Sequence, residues 1–186
     1  MCRAMTQVFP GLHYSVSYTT RPPRPGDENG RDYHFISPAE FQEGINRNDF
    51  AEWAEIYGCR YGTSRSLIEK IRGEGRDVIL DIDGQGARQL RNQDLEGIFI
   101  FLLPPSLEEL RRRLSLRGTE EKAAMQERLM KAQTEMAEAT GYDYLIVNDD
   151  LDKAKERLKA VIVAEHQRCD RMEEVLECLL NEKLKF

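Results

Sequence analysis

Four short apolar runs, separated by stretches of helical character, constrain the fold of this chain more than any other feature. They span residues 14–19, 78–82, 98–103 and 144–147. Each run has the length and the apolar content that predict a buried strand. Strands that alternate with helices are typical of a parallel sheet covered on both faces. The sequence therefore predicts an α/β fold.

Two capping boxes predict where helices begin. Ser37 is followed by a proline and then by Glu40, and Ser106 is followed three residues later by Glu109. A hydroxyl at the N-cap and a glutamate three residues on satisfy the free amides of a first helical turn. Near the C-terminus, residues 151–184 form two amphipathic stretches divided by a polar patch. We expect the second stretch to pack against the chain or to pair copies of it in a homo-oligomer.

The composition argues against several classes of function. The chain has 186 residues, 40% hydrophobic and 32% charged, which predicts one globular domain. Its net charge of −6 argues against nucleic-acid binding, which needs an extended basic face. The four cysteines form no C-x-x-C pair, which argues against a disulfide scaffold or a zinc site. No run is long enough to span a bilayer and no leader is recognisable, so we expect a cytoplasmic protein that does not bind membranes.

A proline-stiffened loop carries two arginines three residues apart. It reads SYTTRPPRPGDENGRDY from Ser17 to Tyr33, with Arg21 and Arg24 in between. Guanidinium groups donate paired hydrogen bonds to phosphate oxygens, and the neighbouring prolines reduce the entropy that is lost on binding. The pattern predicts a site for a phosphomonoester. The alternative is a solvated basic turn.

Residues 31–63 differ in composition from the rest of the chain, because aromatic residues are frequent there and lie in short segments separated by turns. We expect a small β-rich lobe that forms a lid or a substrate pocket over the α/β core. This lobe contains Glu52 and Thr63. A carboxylate accepts two hydrogen bonds from the N1–H and the amino group of guanine, which adenine cannot supply, and a hydroxyl can meet a neighbouring polar edge.

The second apolar run leads into Asp81 and Asp83, followed by glycines. The C-terminal edge of a parallel sheet is where such folds bind ligands. Two residues apart on a strand, the carboxylates would share one face and could bind magnesium-bound waters and a polar base. The alternative is an ordinary strand end followed by a turn.

Three arginines in the later, helical part of the chain suit the charge that develops during phosphoryl transfer. They are Arg113, Arg117 and Arg128. The alternative is that they form a solvated helix face.

Together these segments resemble the guanylate kinase family over nearly the whole chain. The resemblance rests on SVSYTTRPPRPGDENGRDYHF, DFAEWAEIYGCRYGTS, VILDIDGQGA, LRGTEE and IVNDDLDKA, in family order and at family spacing. It implies a P-loop-kinase-like parallel sheet flanked by helices, with a small β-rich GMP-binding lobe and a helical lid. The implied division of this single domain is a core of residues 1–30, 64–105 and 141–186, a lobe of residues 31–63 and a lid of residues 106–140.

The resemblance also implies an activity, transfer of the γ-phosphate of ATP to GMP with Mg²⁺, giving ADP and GDP in purine nucleotide metabolism. The residues implied to hold the GMP phosphate are Arg21, Arg24, Tyr33 and Tyr61. Those implied to read guanine are Ser17, Glu52, Thr63 and Asp83. Asp81 would lie near the magnesium, which it would hold through water, and Asn148 would lie beside the adenine of ATP. The implied catalytic set that acts on the transferring group is Asp81, Arg113, Arg117 and Arg128.

The family pattern also includes an N-terminal strand and a Walker A loop, G-x-x-x-x-G-K-[ST], and that motif does not occur in this sequence. The first residues resemble the helix that follows the loop, so the first strand and the phosphate loop are expected to be absent. Each lost hydrogen-bond donor to the transition state raises the activation free energy by roughly 3 kcal/mol. The chain as written is therefore expected to be inactive or impaired.

Two other functions remain open. Without a Walker loop, the chain could be a non-catalytic guanylate-kinase-like module that binds GMP or a phosphorylated partner. It could also be a kinase for another monophosphate such as AMP or dTMP, which the acidic residues of the expected base pocket disfavour.

Overall fold

The computed structural model describes residues 1–93, 95–116 and 122–181. The chain forms two compact units, residues 1–97 and residues 98–186. Each unit is described by itself.

The first unit contains two sheets and four helices in its described residues. The elements in chain order are α1 (Cys2–Val8), β1 (Leu12–Tyr14), β2 (Tyr18–Thr19), β3 (His34–Phe35), α2 (Pro38–Asn46), β4 (Phe50–Ile56), β5 (Cys59–Ser64), α3 (Arg65–Gly73), β6 (Asp77–Ile79) and α4 (Gly84–Asn92). Strands β1 and β6 form a parallel pair. The other sheet has the order β3-β2-β5-β4, in which β5 runs antiparallel to both of its neighbours. This mixed sheet confirms the expected β-rich character of residues 31–63, and it also includes β2.

Aromatic side chains of residues 31–63 form the core beside this sheet. Phe41 of α2 is fully buried and stacks on Phe50 of β4, with ring centroids 4.4 Å apart. Gly62 of β5 lies against the same pair, since a Cβ atom there would come within 2.9 Å of the Phe50 ring. The β4–β5 hairpin turns through Tyr57 and Gly58, both with positive φ, as the tight turns that suit strand twist require.

The prediction of one strand over residues 14–19 is wrong. Strand β1 ends at Tyr14, and the amide of Ser15 still donates to the carbonyl of Ile79 on β6. Strand β2 begins at Tyr18, in the other sheet. An apolar run shows that a segment is buried but not which partners bind it, and here the chain changes sheets within the run.

In its described residues the second unit contains one parallel strand pair, four α-helices and two short 3₁₀ helices, Ala139–Gly141 and Cys169–Arg171. Its elements are β7 (Ile100–Leu103), α5 (Leu107–Leu116), α6 (Lys122–Ala137), β8 (Tyr144–Val147), α7 (Leu151–His166) and α8 (Glu173–Asn181). Ile146 of β8 is buried, as are Ala154 and Leu158 of α7. Leu102 and Leu145 are exposed, so the prediction of fully buried strands is wrong for β7 and β8.

The predicted helix starts are confirmed. The hydroxyl of Ser37 accepts from the amide of Glu40 at 3.2 Å, and the Glu40 carboxylate accepts from the amide of Ser37 at 2.7 Å. The hydroxyl of Ser106 accepts from the amide of Glu109 at 3.1 Å. Among the described residues, none of the helices combines the length and the apolar character needed to cross a membrane.

Candidate functional site

Arg21 lies at the centre of a polar and aromatic cluster on the proline-rich loop. Its side chain is only 12% exposed, and its guanidinium donates to the carboxylate of Asp27 at 2.9 Å and to the carbonyl of Pro22 at 2.9 Å. Burial, the largest single effect, opposes the charge, but the hydrogen bond to Asp27 and the charge of Asp27, with smaller effects of two tyrosines, together raise the pKa of Arg21. The guanidinium is therefore charged and well ordered.

Two tyrosines predicted to hold phosphate belong to the same cluster. The guanidinium carbon of Arg21 lies 5.3 Å from the centre of the Tyr33 ring, and Tyr33 meets Tyr61 edge to face at 5.8 Å. Burial raises the pKa of Tyr33. Its hydroxyl therefore keeps its proton and remains a hydrogen-bond donor. The structure thus brings Arg21, Tyr33 and Tyr61 together.

Arg24 is attached to the same carboxylate as Arg21 but through its main chain. Its amide donates to Asp27 at 2.7 Å, and the amide of Asp27 donates back to the carbonyl of Arg24 at 3.0 Å. The amide of Arg24, followed by the guanidinium of Arg21, lowers the pKa of Asp27. The Arg24 side chain is exposed and makes no hydrogen bond or ion pair within the described part of the chain. Its approach to a shared phosphate remains a prediction.

A buried acid and a buried hydroxyl face each other across the β4–β5 ladder. Glu52 is paired in register with Thr63, and the Thr63 hydroxyl donates to the Glu52 carboxylate at 2.5 Å. The two residues are 5% and 1% exposed. Thr63 lies two residues from Tyr61 on β5, so both side chains project from one face of the sheet. The acid–hydroxyl pair and the arginine–tyrosine cluster therefore share that face.

The environment of Glu52 makes its ionisation sensitive to pH near neutrality. Burial raises its pKa to about 7, the hydrogen bond from Thr63 opposes the shift, and the nearby charge of Asp83 adds to it. Glu52 and Asp83 are therefore close enough to interact, as their shared predicted role requires.

Asp83 caps a helix rather than ending a strand. Its carboxylate accepts from the amides of Gln85 and Gly86 at 3.1 and 3.0 Å at the start of α4. Strand β6 ends at Ile79, so the prediction that Asp81 and Asp83 share a strand face is wrong. The reason is that the pairing of β6 with β1 ends at Ile79, and Asp83, although extended, serves as the N-cap of α4.

Asp81 lies in the segment between β6 and α4, and its side chain is exposed. The Asp81 carboxylate raises the pKa values of Cys2 and Tyr14, second to the effect of burial in each case. It makes no hydrogen bond or ion pair with the residues that the structure describes. Those residues contain no group of three or more acids, cysteines or histidines that could hold a metal by themselves. A single free carboxylate fits Mg²⁺, which keeps several waters and takes substrate phosphate oxygens as further ligands.

In the second unit the structure joins two further predicted residues. The guanidinium of Arg113 donates to the carbonyl of Asn148 at 3.0 Å and to the Glu109 carboxylate at 2.7 Å. Hydrogen bonds from Arg112 and Arg113 lower the pKa of Glu109 to about 2. Arg128 is half-buried on α6, and Arg117 lies outside the described residues.

Ser17 precedes β2, where its carbonyl accepts from the amide of His34 at 2.9 Å. Its hydroxyl makes no hydrogen bond within the described part of the chain. A role for Ser17 in reading guanine remains a prediction.

Sequence reasoning missed the residues that support this site. Asp27 could have been found, because an Asp three residues after Arg24 in a proline-rich loop is a turn signal. The sequence showed glycines after Asp83, but it gave no sign of the contacts that Gly86 and Gln89 make. The amide of Gln89 bonds the main-chain N–H and C=O of Trp53, at 3.1 and 2.6 Å.

The fold and the site define an α/β protein of the P-loop-kinase-like class, with an arginine–tyrosine cluster and a buried carboxylate on one face of its mixed sheet. A family model described as guanylate kinase matches residues 4–165. The chain is 50% identical over 172 residues to a guanylate kinase of Geobacter sulfurreducens, covering 92% of this chain and 85% of that relative. It is 48% identical over 176 residues to a guanylate kinase of Geobacter metallireducens, covering 95% and 87%. The chain belongs to the guanylate kinase family.

The fold agrees with a solved member of the family. The crystal structure of guanylate kinase from Anaplasma phagocytophilum superposes with a TM-score of 0.78 at 32% sequence identity. The match covers 96% of this chain and 90% of that one.

Proposed function

We propose that this chain binds GMP and catalyses transfer of the γ-phosphate of ATP to it, giving ADP and GDP. The observation that carries the proposal is the placement of two groups on one face of the mixed sheet. One is the Arg21 cluster, which suits a phosphomonoester. The other is the buried Glu52–Thr63 pair, which suits the polar edge of a purine.

Guanine is the base that the pair fits best. An ionised Glu52 presents two acceptor oxygens, and guanine supplies two adjacent donors, N1–H and the 2-amino group. Adenine has an acceptor at N1 and would leave the buried carboxylate unsatisfied, which costs binding free energy. AMP is therefore a poor substrate in this proposal.

The monophosphate would be held by Arg21, Tyr33 and Tyr61, joined by Arg24. Arg21 has its own carboxylate partner in Asp27, so it is ordered before the ligand arrives. Preorganisation of this kind lowers the entropy cost of binding.

In this proposal the chain catalyses the reaction by positioning GMP and ATP and by neutralising the charge of their phosphates, without a covalent intermediate. Bound Mg²⁺ would neutralise charge on the phosphates, and Asp81 would hold it through water. Arg113, Arg117 and Arg128 would act on the transferring group, and Asn148 would lie beside adenine. The cytoplasm is the expected location.

The proposal includes a low rate for the 186 residues as written, in which the motif G-x-x-x-x-G-K-[ST] does not occur. Without those donors to the ATP phosphates, GMP binding would persist while turnover falls. The proposed homo-oligomer through the C-terminal helix would use α8, which exposes Leu176, Leu179 and Leu180.

Isothermal titration calorimetry with GMP, IMP, AMP and ATP tests the proposal. We expect GMP to bind more tightly than IMP and AMP, and Glu52→Gln to remove most of that preference. Glu55→Gln is the matched control, because Glu55 lies on the same strand with a side chain that is 58% exposed. Equal affinity for GMP and AMP, or no binding of GMP, would contradict the proposal. A coupled assay of ADP formation then measures the rate.

A further inference from the structure

Gly86, in the first turn of α4, lies directly against the carboxylate of Glu52. A Cβ atom built on Gly86 would lie 2.3 Å from one carboxylate oxygen of Glu52 and 2.9 Å from its carboxyl carbon. Both distances are shorter than any real van der Waals contact of a Cβ atom. The carboxylate therefore occupies space that exists only because residue 86 has no side chain.

The backbone at Gly86 does not itself require glycine. Gly86 is in a regular helix, and it is not among the glycines with positive φ. Its amide donates to Asp83, which any residue other than proline could do. Alanine is the stronger helix former. The close approach of Glu52 is the feature that explains glycine at this position.

Neither partner can easily move to relieve a clash. One carboxylate oxygen of Glu52 accepts from Thr63, and the side chain is buried. On the other side, α4 is bound to the main chain of β4 immediately before and after Glu52. Gln93 donates to the carbonyl of Ala51 at 2.9 Å, and Gln89 bonds both main-chain groups of Trp53.

The amides of Gln89 and Gln93 meet a free edge of the sheet. Strand β4 is the last in the order β3-β2-β5-β4, so in the described part of the chain its outer N–H and C=O groups face no neighbouring strand. The two glutamines supply partners for the carbonyl of Ala51 and for both main-chain groups of Trp53. They also fix the distance between the helix that carries Gly86 and the strand that carries Glu52.

We infer that Gly86 is a specificity-determining positioning residue, which sets where the Glu52 carboxylate lies and so how well it receives guanine. This inference rests on the proposed role of Glu52 in binding the base. A methyl group at residue 86 would push the carboxylate away from its position. The contacts of the monophosphate with the Arg21 cluster would be unchanged.

The test combines a ligand arm and a stability arm on the full chain. In the ligand arm, calorimetry compares GMP, IMP and ribose 5-phosphate. We expect Gly86→Ala to reduce the ratio of GMP to IMP affinity about 10-fold, the effect of losing one well-placed hydrogen bond, while ribose 5-phosphate affinity stays the same. Glu52→Asp shortens the acid by one methylene, so adding it to Gly86→Ala should recover part of the ratio.

Gly73→Ala is the matched control, because Gly73 also lies in a helix and a Cβ atom there meets nothing within 4 Å. It should leave all three affinities unchanged. An unchanged GMP to IMP ratio in Gly86→Ala would overturn the inference.

The stability arm does not depend on any ligand, so it separates failure of this inference from failure of the proposed function. Gly86→Ala should lower the midpoint of thermal unfolding in the native background. It should leave the midpoint unchanged or raise it when Glu52→Ala has removed the clashing carboxylate. Equal effects of Gly86→Ala in both backgrounds would overturn the claimed contact, whether or not GMP binds.

Discussion

The affinity for GMP should rise with pH across neutrality, because the acid proposed to receive guanine ionises there. Burial raises the pKa of Glu52 to about 7. An ionised carboxylate can accept from both donors of guanine. A neutral carboxyl group carries a proton on one oxygen, and this O–H would meet a donor of guanine in place of an acceptor. Binding should therefore select the ionised form and release a proton.

The size of the effect follows from the ionised fraction. With a pKa of about 7, Glu52 is ionised in roughly 9% of molecules at pH 6 and in roughly 90% at pH 8. If only the ionised form binds, the apparent affinity changes by the ratio of these fractions, about 10-fold. The phosphate of GMP also titrates near pH 6, so the contribution of the protein must be isolated.

Calorimetry at pH 6, 7 and 8 and at constant ionic strength measures this directly. Ribose 5-phosphate carries the same kind of phosphate without a base, and its pH profile gives the contribution of the ligand. Measurement in two buffers of different ionisation enthalpy counts the protons released. The wild-type chain should release about 0.9 proton more per GMP at pH 6 than Glu52→Gln does. If wild type and Glu52→Gln follow the same pH profile, the reasoning about Glu52 is refuted.

Three further predictions concern stability and the phosphate cluster. The folded state raises the pKa of Glu52 above its unfolded value, so this group should lower the free energy of unfolding by up to ~3 kcal/mol as pH rises from about 4.5 to about 7. Urea denaturation should show that loss in wild type and not in Glu52→Gln. Ser37→Ala should cost about 1 kcal/mol of unfolding free energy, whereas Ser37→Asp retains the cap and should cost little. Asp27→Ala should weaken GMP binding several-fold, because Arg21 loses its partner and the loop loses the Arg24 contact, and a calorimetric affinity equal to wild type would contradict that role.

Local signals in the sequence predicted local structure well. The Ser37 and Ser106 helix starts needed only the residues within one helical turn. The structure contains both bonds of the Ser37 capping box and the bond from the Glu109 amide to the Ser106 hydroxyl. The run at residues 144–147 became strand β8 with the same bounds. The capping bonds join residues of one helical turn, so they could be predicted from the local sequence. Strand β8 draws its backbone hydrogen bonds from the distant strand β7, so only its extended conformation was a local property.

Features that depend on distant partners could not be predicted from pattern. The run at residues 14–19 shows no break in its pattern, yet its two ends pair with different strands. The pKa of Glu52 depends on burial by β4, β5 and α4 together. The close approach of Gly86 to Glu52 joins residues that are 34 positions apart, and helix propensity alone favours alanine at residue 86.

A crystal structure of the chain with GMP would show the contacts of the phosphate and of the base together. The phosphate should lie within hydrogen-bond distance of the Arg21 guanidinium and the Tyr33 and Tyr61 hydroxyls. Guanine N1 and the 2-amino group should face the Glu52 carboxylate. A nucleotide bound elsewhere, or one whose base points away from Glu52, would contradict the proposed function.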